Sequence, residues 1–360
     1  MGRRGLLAAG IGAALAGGAA VGFVAERALV RGRVVPPVPA EEVPLGSLAG
    51  ERSTVRGPGD LTIAVETYGP DTAPQLVLAH GWVCTGRAWH EVVKRLRDRY
   101  RIITYDQPGH GRSDPPDDGQ YDLDLLGDAF AAVVAAATGP GPLVVAGHSL
   151  GGMTILNAVR RHPALLERLR GAVLLSTTSS ARSERLGLER GIRAVARLER
   201  GIRRVVPTLR DPRVTRAADR LTRATSDLSY LVARWSAVGE DADPRIVAFT
   251  QQMVFSSGSD VVFGLVEAVL GVDEDDGLEA LARVPTTLVV GAEDRLTPVL
   301  LSQRMADRSD ARLIELDGVG HMALLEAGAE VTRVLEEHLQ GRVEVAAAPD
   351  RPVSRDPDAA

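Results

Sequence analysis

The sequence predicts an α/β fold: a mostly parallel central sheet with helices on both faces, carrying a helical cap insertion. Three observations predict it. Apolar runs of strand length alternate with helical stretches through most of the chain. Most of these runs are Val-, Ile- and Leu-rich without a polar face, as strands covered on both sides are. About a hundred residues, from Ser180 to Leu281, then break the rhythm with helical spacing and no clear strand.

The strand-length runs are Leu61–Thr67, Gln75–Ala79, Arg101–Tyr105, Leu143–Ala146, Ala172–Leu175, Thr287–Val290 and Leu313–Leu316. Helical patterns at Arg87–Leu96, Leu123–Ala137, Met153–Arg161, Val299–Met305 and Ala329–Leu339 separate them. The expected α/β domain covers residues 57–340, with its cap at about 180–281. Residues 35–56, with Pro36, Pro37, Pro39 and Pro44, are expected as a semi-extended linker. Residues 341–360 mix Pro and charge without periodicity and are expected as a disordered tail.

Residues 1–34 are expected as an N-terminal membrane anchor or signal segment. Arg3 and Arg4 precede an uncharged run of 21 residues, Gly5 to Ala25. At about 1.5 Å per residue, such a run can cross a hydrocarbon core. A cleaved export signal is the alternative, with Ala19 and Ala20 small enough to permit cleavage. The expected location is therefore membrane-anchored or exported. Arginines flank both ends of the run, so charge does not set its orientation.

Composition excludes several classes. With 45% hydrophobic and 25% charged residues, the 360-residue chain is neither fibrous nor mainly disordered. A net charge of −5 argues against a general nucleic-acid binder. Cys84 is the sole cysteine, so no intramolecular disulfide forms. There is no His-Glu-x-x-His, no cysteine pair, no P-loop and no dinucleotide fingerprint, so no metal or cofactor is implied.

The strongest chemical signal is Leu143-Val-Val-Ala-Gly147-His148-Ser149-Leu150-Gly151-Gly152. An apolar strand runs directly into Gly-x-Ser-x-Gly, and a helix follows. In that setting the serine occupies a sharp strand-to-helix turn that lifts its hydroxyl clear of the sheet. A serine nucleophile needs a base. Of seven histidines, His321 follows the last strand in a Gly-containing loop, Asp317-Gly-Val-Gly-His, which can carry an imidazole to Ser149. His148 neighbours the serine but is expected to point elsewhere.

The base needs an acid to hold its tautomer. Gly291-Ala-Glu293-Asp294 ends a strand with two candidates; Asp294 is preferred and Glu293 is the fallback. The loop Ser176-Thr-Thr-Ser-Ser180 offers no acid. Two backbone N–H donors are needed for an oxyanion hole. Leu150, directly after the serine, is one. Trp82, in His80-Gly81-Trp82-Val83 after an early strand, is the other; its indole either walls the pocket or only packs in the core.

These segments resemble the α/β-hydrolase fold family, in its lipase, esterase and peroxidase-like branch with a helical cap. The resemblance covers Asp60 to Leu339 and includes Asp106-Gln-Pro108-Gly-His-Gly-Arg-Ser113. Pro108 stands where the family usually carries arginine. The resemblance implies hydrolysis of a carboxylic ester through an acyl-enzyme, with Ser149, Asp294 and His321 catalytic. A serine nucleophile argues against the aspartyl-ester chemistry of haloalkane dehalogenases and epoxide hydrolases. Thioester, amide, peptide and carbon–carbon bond cleavage and perhydrolysis share the same residues and stay open. So does a non-catalytic binding protein on the same fold, which a broken triad would favour.

The expected partner is a small apolar ester, since Trp235, Phe249, Met253, Phe255 and Phe263 fall in the cap interval; the alternative is that they are cap core. Residues 181–240 carry fourteen Arg against seven acids, and residues 241–280 carry nine acids against one Arg. That pattern fits a solvated basic face paired with the acidic stretch better than a lipid-binding one. The oligomeric state is not legible.

Overall fold

The computed structural model describes residues 42–181, 230 and 233–344. The Gly5–Ala25 run, residues 35–41 of the Pro-bearing linker, the Arg-rich pattern from Leu188 to Val205 and the tail beyond residue 344 lie outside the described residues. Among the described residues, no single helix is long and apolar enough to cross a membrane.

Among the described residues, eight strands form one sheet: β1 (Glu51–Arg56), β2 (Thr62–Tyr68), β3 (Gln75–Ala79), β4 (Arg101–Tyr105), β5 (Leu143–His148), β6 (Leu169–Leu175), β7 (Thr286–Gly291) and β8 (Arg312–Leu316). Their spatial order is β1-β2-β4-β3-β5-β6-β7-β8. β2 pairs antiparallel with β1 and with β4, and every later pairing is parallel.

Parallel neighbours need crossovers, and helices supply them. They include α1 (His90–Leu96), α2 (Leu123–Ala137), α3 (Leu150–Arg161) and α8 (Val299–Ser309); α9 (Ala323–Glu326) and α10 (Gly328–Leu339) follow β8. The insertion between β6 and β7 holds α4 (Pro244–Ser256), α5 (Ser259–Gly264), α6 (Val266–Leu270) and α7 (Asp275–Leu281).

Alternate residues of the buried strands serve opposite faces. Leu76, Leu78, Ile102, Val144, Val173 and Val289 pack on α1 and α10 through Trp89, Val92, Leu96, Val331 and Leu335. Val77, Ile103, Val145, Leu174 and Leu288 face α2, α3 and α7 through Phe130, Val133, Ile155, Leu156 and Leu278. Both faces are covered, which is why these strands read as flat apolar runs.

Two boundaries differ from the sequence expectation. β1 lies inside the stretch expected as linker. Only Val55 of its six residues is buried, so the strand carries almost no hydrophobic signal and is defined by backbone pairing to β2. The cap expected to run to Leu281 closes earlier. Ser180 bridges Asp273, Ala181 N–H donates to Val272 O at 2.9 Å and Glu274 N–H donates to Ser179 O at 2.7 Å. These bonds close the neck of the insertion. α7, beyond the neck, packs Leu278 and Leu281 under the sheet and belongs to the core layer.

Candidate active site

The site gathers at the carboxyl ends of the parallel strands, where open α/β sheets place their chemistry. Ser149 stands between β5 and α3 with φ 52° and ψ −118°, a positive-φ conformation in a residue that carries a side chain. Such strain costs roughly 1–3 kcal/mol and persists only where surroundings impose it. They do so here. A side chain at Gly147 would come within 2.5 Å of Gly151 O, and one at Gly151 would collide with the carbonyls of Ala79 and His80. Ser149 N–H donates to Leu175 O at 2.9 Å, and the Thr177 hydroxyl donates to Ser149 O at 2.7 Å. The loop after β6, which offers no acid, thus holds the turn.

Asp294 and His321 meet directly. His321 Nδ1 lies 2.9 Å from Asp294 Oδ2 and 3.1 Å from Oδ1. Asp294 Oδ1 accepts the N–H groups of Leu296 and Thr297 at 2.9 and 2.8 Å, and Oδ2 accepts the Thr297 hydroxyl at 2.8 Å. Burial acts to raise the Asp294 carboxyl, but the His321 imidazole and the Thr297 donors outweigh it and hold it at about 2. Asp294 is therefore ionised at neutral pH and fixes the proton on Nδ1, which leaves Nε2 free to accept.

Glu293 faces the other way. Its Oε2 accepts Glu240 N–H at 2.6 Å, in the cap. The structure thus separates the two acids of the loop: Asp294 contacts the histidine and Glu293 contacts the insertion.

His148 has a part that its sequence position did not suggest. Its ring is buried, and its Nε2–H donates to His321 O at 2.9 Å, with the two rings 4.9 Å apart. Burial, with the neighbouring His321, lowers it to about 3, so it stays neutral. This bond ties the residue before Ser149 to the backbone of His321.

The loop from His80 to Cys84 is held from below. Gln107 N–H donates to His80 Nε2 at 2.9 Å, and the Gln107 amide donates to His80 O at 2.6 Å. His80 Nδ1–H therefore donates to Gly81 O, at 2.8 Å. Val83 N–H is taken by His110 Nε2 at 3.3 Å, and Cys84 N–H by Gly81 O at 3.2 Å. Among the described residues, no acceptor takes the N–H of Trp82 or of Leu150. Both remain available to an oxyanion. The Thr154 hydroxyl lies 2.8 Å from Gln107 Oε1 and 2.9 Å from Leu150 O, linking this loop to the first turn of α3.

Trp82 packs beside Leu150, Met153 and Tyr121 with Val261, Leu265 and Val272 from the insertion. These side chains form an apolar wall next to the candidate donors. Of the cap residues expected near substrate, Phe249 and Met253 are buried in the large core cluster instead, and Trp235 is 69% exposed. They do not gather around Ser149.

Residues 76–334 match the alpha/beta hydrolase family. This chain belongs to that family. Over 283 residues it is 28% identical to a pimeloyl-[acyl-carrier protein] methyl ester esterase from Chromobacterium violaceum, covering 78% of this chain and 99% of that protein. A protein of the same description from Aeromonas hydrophila is 35% identical over 109 residues, but the match spans 40% of that protein and 30% of this chain. Among solved structures, a thermophilic esterase from Thermogutta terrifontis superposes with a TM-score of 0.66 at 21% identity, covering 82% of this chain and all of that one. That likeness establishes the α/β-hydrolase fold for this chain.

Proposed function

We propose that this family member is a serine esterase acting on a small, apolar carboxylic ester. The observation that carries the proposal is the buried Asp294–His321 pair, bonded through His321 O to His148, the residue before a strained Ser149. An ionised, four-times hydrogen-bonded carboxylate orients an imidazole whose backbone is bonded to the residue next to the serine.

In this mechanism Ser149 Oγ attacks the ester carbonyl while His321 Nε2 takes its proton. The carbonyl oxygen becomes an oxyanion and accepts the N–H groups of Leu150 and Trp82. The tetrahedral intermediate collapses, the C–O bond to the alcohol breaks, and His321 returns the proton to the leaving oxygen. Water, deprotonated by His321, then attacks the acyl-enzyme, and collapse releases the acid and Ser149. The wall of Trp82, Met153, Val261 and Leu265 favours an apolar acyl or alcohol group. Two of the relatives above are named as methyl ester esterases, so methyl esters of acyl chains are the first substrates to try.

The test is labelling by a fluorophosphonate followed by a panel of esters graded in chain length. Wild-type protein is expected to be labelled at Ser149 and to turn over short or medium esters. Ser149→Ala is expected to lose labelling and at least about 10³-fold in kcat. Ester hydrolysis that survives in Ser149→Ala would overturn the proposal. We further propose that Gly5–Ala25 associates the protein with a membrane, on the length and neutrality of that run alone.

A further inference from the structure

A short segment of the insertion, residues 233–240, lies across the two loops that carry Asp294 and His321. On the acid side, Arg295 Nη1 donates to Trp235 O at 2.5 Å and Glu293 Oε2 accepts Glu240 N–H at 2.6 Å. On the histidine side, Met322 N–H donates to Ala237 O at 3.0 Å. The backbones are in close contact there. A side chain on Gly239 would collide with Gly318 O, and one on Gly320 would collide with the Val238 backbone.

Glu326 sits under this crossing. Its Oε2 accepts Gly239 N–H at 2.7 Å from the insertion and Gly320 N–H at 3.2 Å from the residue before His321. Its Oε1 is buried and has no hydrogen-bond partner among the described residues. A surface glutamate leaves both oxygens in water. Here one oxygen is spent on two backbone amides from segments far apart in sequence, and the other is withdrawn from solvent with nothing in return. Such a placement costs free energy unless the joint it makes is needed.

We propose that Glu326 is a positioning residue whose carboxylate joins the insertion at Gly239 to the loop at Gly320, and so sets where His321 stands relative to Ser149. The inference rests on the serine esterase reading above. It assigns the insertion a share in catalysis: seating of residues 237–239 orders the base as well as covering the site. Loss of the joint lets the Gly318–His321 loop shift while the Asp294 contacts of the imidazole persist, which separates the base from the nucleophile. A base displaced by even an ångström loses a large part of its rate.

The experiment measures the second-order rate of fluorophosphonate labelling, the number of sites labelled at completion, and kcat and KM for a p-nitrophenyl ester, all on the full-length protein. Glu326→Ala is expected to be labelled to the same final extent but about tenfold to hundredfold more slowly. Its kcat falls with it, while KM stays within about threefold, because a transition-state contact is lost and a ground-state one is not. Glu326→Gln keeps an oxygen for both amides and is expected to recover most of the rate. Gly239→Ala, which forces the insertion off Gly318, is expected to slow labelling in the same way without altering Glu326 or His321. Glu326→Ala labelled at the wild-type rate would overturn the proposal. So would a variant that loses labelled sites while its rate per labelled site is unchanged, since that marks a role in folding alone. Wild-type protein that is not labelled overturns the esterase reading and this inference together; labelled wild type with unchanged variants overturns only this inference.

Discussion

Asp294→Asn is the most informative single change, because the surroundings of the carboxylate dictate how the amide must sit. Oδ1 accepts two backbone N–H groups, from Leu296 and Thr297. An amide nitrogen cannot take that place, since three donors would face one another. The Asn oxygen is therefore held at Oδ1, and its NH2 group turns toward the Oδ2 position, 2.9 Å from His321 Nδ1. A donor there requires Nδ1 to be unprotonated. The proton then resides on Nε2, the atom that must accept from Ser149. The variant keeps its shape and holds the wrong tautomer.

Reaction then needs the minor tautomer or a broken hydrogen bond, and the imidazolium formed in the transition state loses its anion. Tautomer and charge together cost about 10³- to 10⁴-fold, which is roughly 4–5.5 kcal/mol at 1.36 kcal/mol per decade. The assay is kcat/KM on a p-nitrophenyl ester at pH 7–8, with the rate of fluorophosphonate labelling as a measure free of substrate binding. Glu293→Gln, whose carboxylate bonds the insertion, is expected to lose no more than about tenfold, in keeping with loss of one positioning contact. Asp294→Asn retaining a tenth of wild-type activity, or Glu293→Gln falling further than Asp294→Asn, would refute the assignment.

Three other predictions test other parts of the structure. His80, His110, His148 and His338 are buried, and burial lowers them to about 4, 3, 3 and 4 from an ordinary 6.5. The unfolded chain binds these protons first, so stability is full above about pH 6.5 and falls as pH drops toward 4, by up to about 1.4 kcal/mol per pH unit for each histidine; urea midpoints that stay level between pH 6.5 and 4 would contradict it. Gly81→Ala places a methyl 2.7 Å from His148 Nδ1 and 3.3 Å from Ser149 Cβ, so the loop from His80 to Cys84 must retreat. We expect kcat to fall by about 10²- to 10³-fold with a near-wild-type thermal midpoint, and an unchanged kcat would move the second oxyanion donor away from Trp82. Full-length protein is expected in the membrane fraction after an alkaline carbonate wash, and protein beginning near Val34 in the soluble fraction; release of the intact full-length chain by that wash would exclude an anchor.

The elements that were legible in the sequence share a local cause. α2 matches its expected bounds, Leu123–Ala137, because its apolar residues recur at helical spacing and Asp122 accepts Leu125 N–H at 2.7 Å as its cap. β3 and β4 were legible because every residue but Arg101 is buried. α3 begins at Leu150, three residues before the expected Met153, because Gly151 and Gly152 lower helix propensity and are present for close packing instead. β1 was not legible, since Glu51-Arg52-Ser53-Thr54 has no buried face to show.

The same division runs through the site. Ser149 announces itself through strand, glycine spacing and helix within ten residues. The choice between Glu293 and Asp294 turns on a shorter signal. Thr297 stands three residues after Asp294, with Pro298 next, so the loop turns back and presents its amides and hydroxyl to that carboxylate. His148 and Glu326 could not be assigned from the sequence. The first bonds a carbonyl 173 positions away and the second an amide 87 positions away. Their chemistry belongs to the folded state alone.

The order of the chain explains why those distant contacts converge. The Ser149 turn follows β5, the insertion leaves after β6, Asp294 follows β7 and His321 follows β8. β5, β6, β7 and β8 are consecutive neighbours in the sheet and all parallel, so these four connections emerge side by side at one edge. The insertion rooted after β6 passes over the loops that follow β7 and β8. Bonds from residues 235–240 to Glu293, Arg295, Met322 and Glu326 are what that passage looks like at atomic scale. Each of these uses a backbone group of the insertion, and the Glu240 carboxylate adds a side-chain contact to Arg295 Nη2 at 3.5 Å. If the Glu326 joint orders His321 as proposed, a scaffold arranged this way can change its apolar wall at Val261 and Leu265 without moving that joint.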